Sequence, residues 1–508
     1  MKRTTISLLA TVTALAAVTG FASLSAPDGT AEQETTAAAR LPVERSSLLC
    51  PAPSSSEVAE TEYSSFTPAG KDGGAKSGSA VLKPSSAVLA DPETVPKKAP
   101  AKKPGPAKPL LTLKEPGKPV GAKVSGGDAA ALVGTATGRF APGWSAQQTT
   151  TVTAGGARGL LGVGCTPPDT DFWFPGASTA EERQDYVHLT NPDDTPAVAD
   201  IELYGKDGAL KTTLTEGIPV PAGSSVPVLL STLTSQPSPD VTVHVTTRTG
   251  RVGAVVRAAD EKAGSDWLTA SADPAGTAVL PGIPADATSV RLVAFAPGED
   301  DADLKIQLAA PDGAIVPAGH ETLHVKSGMT ASVDLADVTK GEAGSLILSP
   351  SQSGRATPVV AALRVVRGKG DKQEVAFIPA TAAVGERATV SGNPAKGATL
   401  SLTAPGAAGE VKVTASAGTG GGSPAVKTYK VKAGTTTAVV PPVPAGLKGT
   451  YALTVETVET VAGGPVHASR MLALPQDGVP MFTVQTLPDD RGTVAVPKAR
   501  QDLSVLDD

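Results

Sequence analysis

The chain has 508 residues, enough for roughly three or four domains, with 40% apolar residues and only 3% aromatics. Its cores must therefore be built from Val, Ala and Leu, and its 54 glycines and 45 prolines suit short strands joined by many turns. A net charge of −6 is modest and argues against a nucleic-acid partner, which would favour a basic surface.

Residues 1–26 read as a signal peptide or signal anchor. Met1-Lys2-Arg3 supplies a positive start, and Ile6 to Ala22 is an apolar run of 17 residues without a charge. Two outcomes stay open. Small residues at Gly20-Phe-Ala22 or Ser23-Leu-Ser25 would permit cleavage, and a run of this length also sits at the short limit for an uncleaved membrane anchor. Residues 27–42 are small and polar and read as a flexible stem. A first β module is expected over 43–165. It carries a Lys/Pro-rich insertion, about 70–110, centred on Lys97-Lys98-Ala-Pro-Ala-Lys102-Lys103-Pro104. Alternating Lys and Pro favours an extended, exposed loop and cannot form a sheet interior.

Cys50 and Cys165 are the only cysteines. An even count in an exported chain reads as a disulfide, here closing a loop of 115 residues. Two free thiols are the alternative.

Beyond Cys165 the chain repeats itself. Val220-Pro-Ala-Gly223, Val325-Lys-Ser-Gly328 and Val431-Lys-Ala-Gly434 share one pattern, with glycines 105 and 106 residues apart. That period is the size of a β-sandwich domain. Each unit is expected to open at a proline: Phe174-Pro175-Gly176, Leu280-Pro281-Gly282 and Ile378-Pro379-Ala380. An apolar strand and turn follow, then an alternating strand: Val198 to Tyr204, Leu304 to Leu308, Val411 to Thr414. Period-two alternation marks a strand with one face on a core and the other in water. Each unit closes on a return strand bearing an arginine: Arg257, Arg364 and Arg470. The expected fold is all-β, with tandem immunoglobulin-like sandwiches over 166–273, 274–376 and 377–498 and a polar tail at 499–508.

Chemistry-bearing motifs are sparse. There is no HExxH, GxSxG or phosphate loop in the sequence. His320 and His324 are four apart and would point the same way on a strand, but read as exposed strand residues. Glu299-Asp300-Asp301-Ala-Asp303 reads as a solvated turn rather than a calcium loop, and Asp169 with Asp171 as a linker. No cofactor, metal or catalytic group is therefore expected. The candidate binding surface is aromatic and cationic. Phe172-Trp173-Phe174 puts Trp173 on the strand face opposite the two phenylalanines, where it would either plug a junction between modules or stack on a sugar ring. Arg257, Arg364 and Arg470 would line one face of the array or serve as structural ion pairs.

Leu41-Pro42-Val-Glu-Arg-Ser-Ser-Leu-Leu-Cys50-Pro51, Gly159-Leu-Leu-Gly-Val-Gly-Cys165, Phe172-Trp173-Phe174-Pro175-Gly176 and Leu189-Thr-Asn191-Pro192-Asp193 carry a likeness. They resemble an uncharacterised family, a domain of unknown function, of exported actinobacterial cell-envelope proteins. The resemblance implies a place in the cell envelope and no known activity. The expectation is a non-enzymatic extracellular scaffold or binding module, secreted or held at the membrane only through its N-terminal segment. Its partner would be envelope glycan or another envelope protein. The alternative is a carbohydrate-binding accessory protein of envelope glycan assembly.

Overall fold

A computed structural model describes residues 39–70, 77–87, 108–213, 216–351, 356–458 and 463–496. The expected signal segment at 1–26, the polar tail at 499–508 and the centre of the Lys/Pro tract lie outside the described residues. The described chain is all-β. Its helical elements are two single 3₁₀ turns, Gly138–Phe140 and Leu230–Thr232.

Two units make up the chain: 1–41 with 494–508, and 42–493. Ala39–Pro42 pairs with Thr493–Val496 in a two-stranded sheet that lies mostly in the first. Residues 39–42, expected as part of a flexible stem, thus form a strand. In the second unit the strands pair within four consecutive stretches of chain, each giving two sheets packed as a sandwich. Counting principal strands within a stretch, one sheet runs first, sixth, third, fourth, and the other runs eighth, seventh, second, fifth. All four stretches follow this order. In the immunoglobulin arrangement the first strand joins the second; here it joins the sixth.

The first stretch, 45–164, had been expected as a module apart from the repeats, yet it has the same strand order as the other three. Part of its expected loop is sheet as well. Ala80–Pro84 pairs with Leu132–Thr137 on one side and Leu111–Thr112 on the other. The cause is local: Ala80 and Leu82 alternate inward and are buried. Ser86–Ala87 then adds a short parallel strand to Ser224–Leu229 of the second stretch.

The opening strands are Arg45–Cys50, Asp171–Ala177, Ala278–Ile283 and Arg387–Asn393. In the last three the register slips near the end of the strand, between Pro175 and Ala177, between Pro281 and Ile283, and between Val390 and Asn393. A glycine with positive φ sits in each slip: Gly176 (96°), Gly282 (92°) and Gly392 (74°). The fourth stretch therefore opens at Ser391-Gly392-Asn393. Ile378-Pro379-Ala380, expected as that opening, instead ends the last strand of the third stretch, Glu374–Pro379, which pairs with Val360–Arg367.

These bulges face the next stretch. Positions equivalent on the second strand of each stretch receive them: Gly176 lies against Val293, Gly282 against Ser401, and Gly392 against Ser64 of the first stretch. The contacts therefore form a closed cycle within the unit. The last strands repeat it. Gly159–Gly164 touches Gly264–Leu268, which touches Glu374–Pro379, which touches Phe482–Thr486, which returns to Gly159–Gly164. Cores run across these seams, so Phe377 of the third stretch joins the core of the second, and Phe482 of the fourth joins that of the third.

Hydroxyls line the seam between third and fourth stretches. Ser345 Oγ accepts from the Gly282 amide at 3.1 Å and meets Thr403 and Thr436 at 2.7 and 2.9 Å. A methyl at Gly282 would collide with Ser469 and would need a left-handed backbone that side chains resist. Gly282→Ala should cost about 2 kcal/mol, read as a lower urea midpoint at unchanged slope; an unshifted midpoint would show that the seam yields.

Candidate functional site

The four last strands are short and largely apolar, and two acids lie among them. Asp266 sits mid-strand in Gly264–Leu268, every residue of which is buried. Glu374 begins Glu374–Pro379, likewise buried throughout. Both acids are 0% exposed, so each must be answered by hydrogen bonds from its surroundings.

The answers come from other stretches. Asp266 Oδ1 accepts from the Gly162 amide at 3.0 Å and from Thr483 Oγ1 at 3.1 Å, joining the first, second and fourth stretches. Glu374 Oε1 accepts from the Leu160 amide at 2.8 Å, and Oε2 pairs with Arg158 Nη1 at 3.1 Å, joining the first and third. Arg158 also donates to the carbonyls of Gln373 and Lys262. Gly162 has to be glycine for close approach, since a Cβ there would stand 2.5 Å from Thr483 Cγ2.

Burial raises both carboxyls. It pushes Glu374 up to about 7, against the opposing pull of the Leu160 amide and Arg158. Asp266 is raised well above its ordinary range, first by burial and additionally by the nearby Glu374 charge. The centre is thus a knot of two buried carboxyls where the four last strands meet. Sequence reading missed it, although a signal was present: a lone acid opening an otherwise apolar strand, as in Glu374-Val-Ala-Phe-Ile-Pro379.

The residues singled out from sequence scatter. Phe172 and Phe174 point into the core of the second stretch, as the alternation required. Trp173 faces the other way and is half-buried at the seam with the third stretch. Its ring stacks on His244 at 3.6 Å and lies 5.4 Å from Phe295, which in turn meets Tyr204 at 4.7 Å. His244 is held by Glu202 at 3.2 Å and Asp171 at 3.1 Å. Trp173 is therefore a strut between neighbouring stretches. Trp173→Ala should lower stability by about 2 kcal/mol, read by urea unfolding; an unshifted midpoint would show that the ring bears no load at the seam.

The three arginines do not share a face. Arg257 lies over the Tyr186 ring at 5.0 Å, and Arg364 donates to Asp260 at 2.6 Å. Strand pairing sets Arg257 opposite Tyr186 and Arg364 opposite Arg291, but Arg470 opposite Leu400, one residue out of step. A one-residue slip reverses the side chain. Arg470 is accordingly 0% exposed, inside the fourth sandwich, bonded to Asn393 and Gln485, and burial lowers it to about 10. The register equivalent of Arg257 and Arg364 in that stretch is Met471, which is half-buried and packs against the core of the third stretch. Cys50 and Cys165 form the disulfide.

His324 is exposed and pairs with Asp303 at 2.8 Å and Asp301 at 3.5 Å. Among the described residues no group of three or more His, Cys, Asp or Glu is placed to hold a metal ion.

The model of a Family of unknown function (DUF5719) matches residues 120–442. The chain belongs to this family. The match to DUF5719 takes in the whole second and third stretches, both buried acids and the Phe-Trp-Phe segment. No curated protein matches the chain.

Proposed function

We propose that this DUF5719 protein is an exported, non-catalytic scaffold or binding module of the cell envelope, built from four sandwich modules. The observation that carries the reading is the closed contact cycle. The specialised residues (bulge glycines, hydroxyls, the Trp173 strut and the carboxyl knot) are used to join modules into one compact unit. A compact body of repeated sandwiches closed on itself suits presenting loops and surfaces to a partner. A disulfide is compatible with an extracellular site, and residues 1–26 would export the chain or hold it at the membrane. The resemblance noted from sequence supports an actinobacterial envelope.

The partner in this reading is another envelope protein or envelope glycan. A concave surface open to it is a groove of about 270 Å³ lined by Val81, Lys83, Val133, Thr135, Pro192 and Gly223. The test is cell fractionation followed by capture on purified wall and on envelope extract. Retention that falls in Lys83→Glu with Thr135→Arg supports the proposal. Retention no greater than that of an unrelated sandwich protein in both captures, or recovery in the cytoplasmic fraction, overturns it.

A further inference from the structure

The cycle of seams has one irregular member. Three opening strands end in a glycine bulge that packs on the next stretch, but Arg45–Cys50 pairs with Leu132–Thr137 without a slip. Its end is Leu49-Cys50-Pro51, and Cys50 is committed to the disulfide. The residue it faces is His188, the counterpart of Val293, Ser401 and Ser64. At this seam lies a cavity of about 10 Å³, lined by Leu49, Pro51, Val163, Thr166, His188 and Thr190 among others.

His188 is 5% exposed, and neither ring nitrogen has a hydrogen-bond partner among the described residues. A neutral imidazole carries one donor and one acceptor, and a buried pair of this kind calls for a partner. We propose that this cavity is a binding site for a single water molecule, held by His188 at the seam between the first and second stretches. The volume is about what one water needs, and a buried water needs two to four polar partners. Thr190 and Thr166 bring hydroxyls to the walls. Thr190 Oγ1 already meets Ser225 Oγ at 3.1 Å and, as a hydroxyl, has capacity for another bond.

The chemistry of the walls selects water over an ion. The other lining residues are Leu, Pro, Val, Gly and Ala, so no carboxylate or thiolate accompanies the imidazole to hold a cation. Burial, and then the Arg257 charge, lower His188 to about 3, so it stays neutral and offers an anion no charge. The wall residues Leu49, Pro51, Gly164 and Thr166 flank both cysteines, which places the site beside the disulfide.

A high-resolution crystal structure of the full chain tests the assignment. One ordered water within hydrogen-bond reach of a His188 nitrogen and a threonine hydroxyl is the expected result. A dry cavity, or one filled by a rotated side chain, overturns it. Water relaxation dispersion gives an independent reading in solution: His188→Leu should remove one long-lived internal water from the wild-type count. An unchanged count in the folded variant overturns the proposal, and if that variant fails to fold, the wild-type crystal structure decides.

Discussion

Replacing Cys50 and Cys165 together by alanine should destabilise the protein by about 4–5 kcal/mol. The bridge closes a loop of 115 residues, and confining so long a loop removes much freedom from the unfolded chain. Alanine is the appropriate replacement because both positions are buried, Cys50 at 0% and Cys165 at 8%, and a serine hydroxyl there would add its own penalty. The bridge joins the end of the opening strand to the residue after the last strand, and so ties the two sheets of the first sandwich together. It is the only cross-link between them beyond the chain itself, and between these two strands lies the insertion that makes this stretch the longest. The measurement is urea unfolding of the double variant against the parent. A loss under about 1 kcal/mol would show that the unfolded chain is already confined in this region.

Much of the fold was written locally. Alternation in Val198 to Tyr204 and Leu304 to Leu308 located strands, because a half-buried sheet imposes a period of two. The glycine turns near Gly223, Gly328 and Gly434 gave the length of the unit, and the pairing of Cys50 with Cys165 followed from the cysteine count. What stayed hidden depends on pairing across long distances. The first stretch escaped as a fourth copy because its insertion stretches the spacing and Cys50-Pro51 replaces the bulge glycine. Arg470 keeps a spacing close to that of its fellows in sequence, yet one residue of register turns it from the outer sheet face, where Arg257 and Arg364 lie half-buried, into the core of its own sandwich. Spacing measures distance along the chain; only the ladder says which way a side chain points. The contact cycle had no local signature at all, since it arises where Gly392 of the last stretch meets Ser64 of the first.

The carboxyl knot predicts an unusual response to pH. Glu374 is raised from 4.5 to about 7, so the folded chain holds this proton more tightly than the unfolded chain does. Between those values the native state binds more protons, and stability must fall as pH rises. The full effect is about 3 kcal/mol, present below the unfolded value and lost once pH passes about 7. Asp266, also raised, acts in the same sense. Many proteins instead gain stability as paired surface carboxylates ionise, so the comparison must be made against a variant rather than read from one curve. Glu374→Gln keeps an oxygen for the Leu160 amide and removes the titration. Urea unfolding at about pH 5 and about pH 8 should show the parent losing about 2.5 kcal/mol more than the variant over that interval. The physical cause is the environment that makes the knot useful. Four strands converge there, water is excluded, and an ionised Glu374 must rely on Arg158 and one amide alone. Equal losses in parent and variant would mean that Arg158 already holds Glu374 ionised throughout, and the centre would then be an ion pair whose charge survives burial.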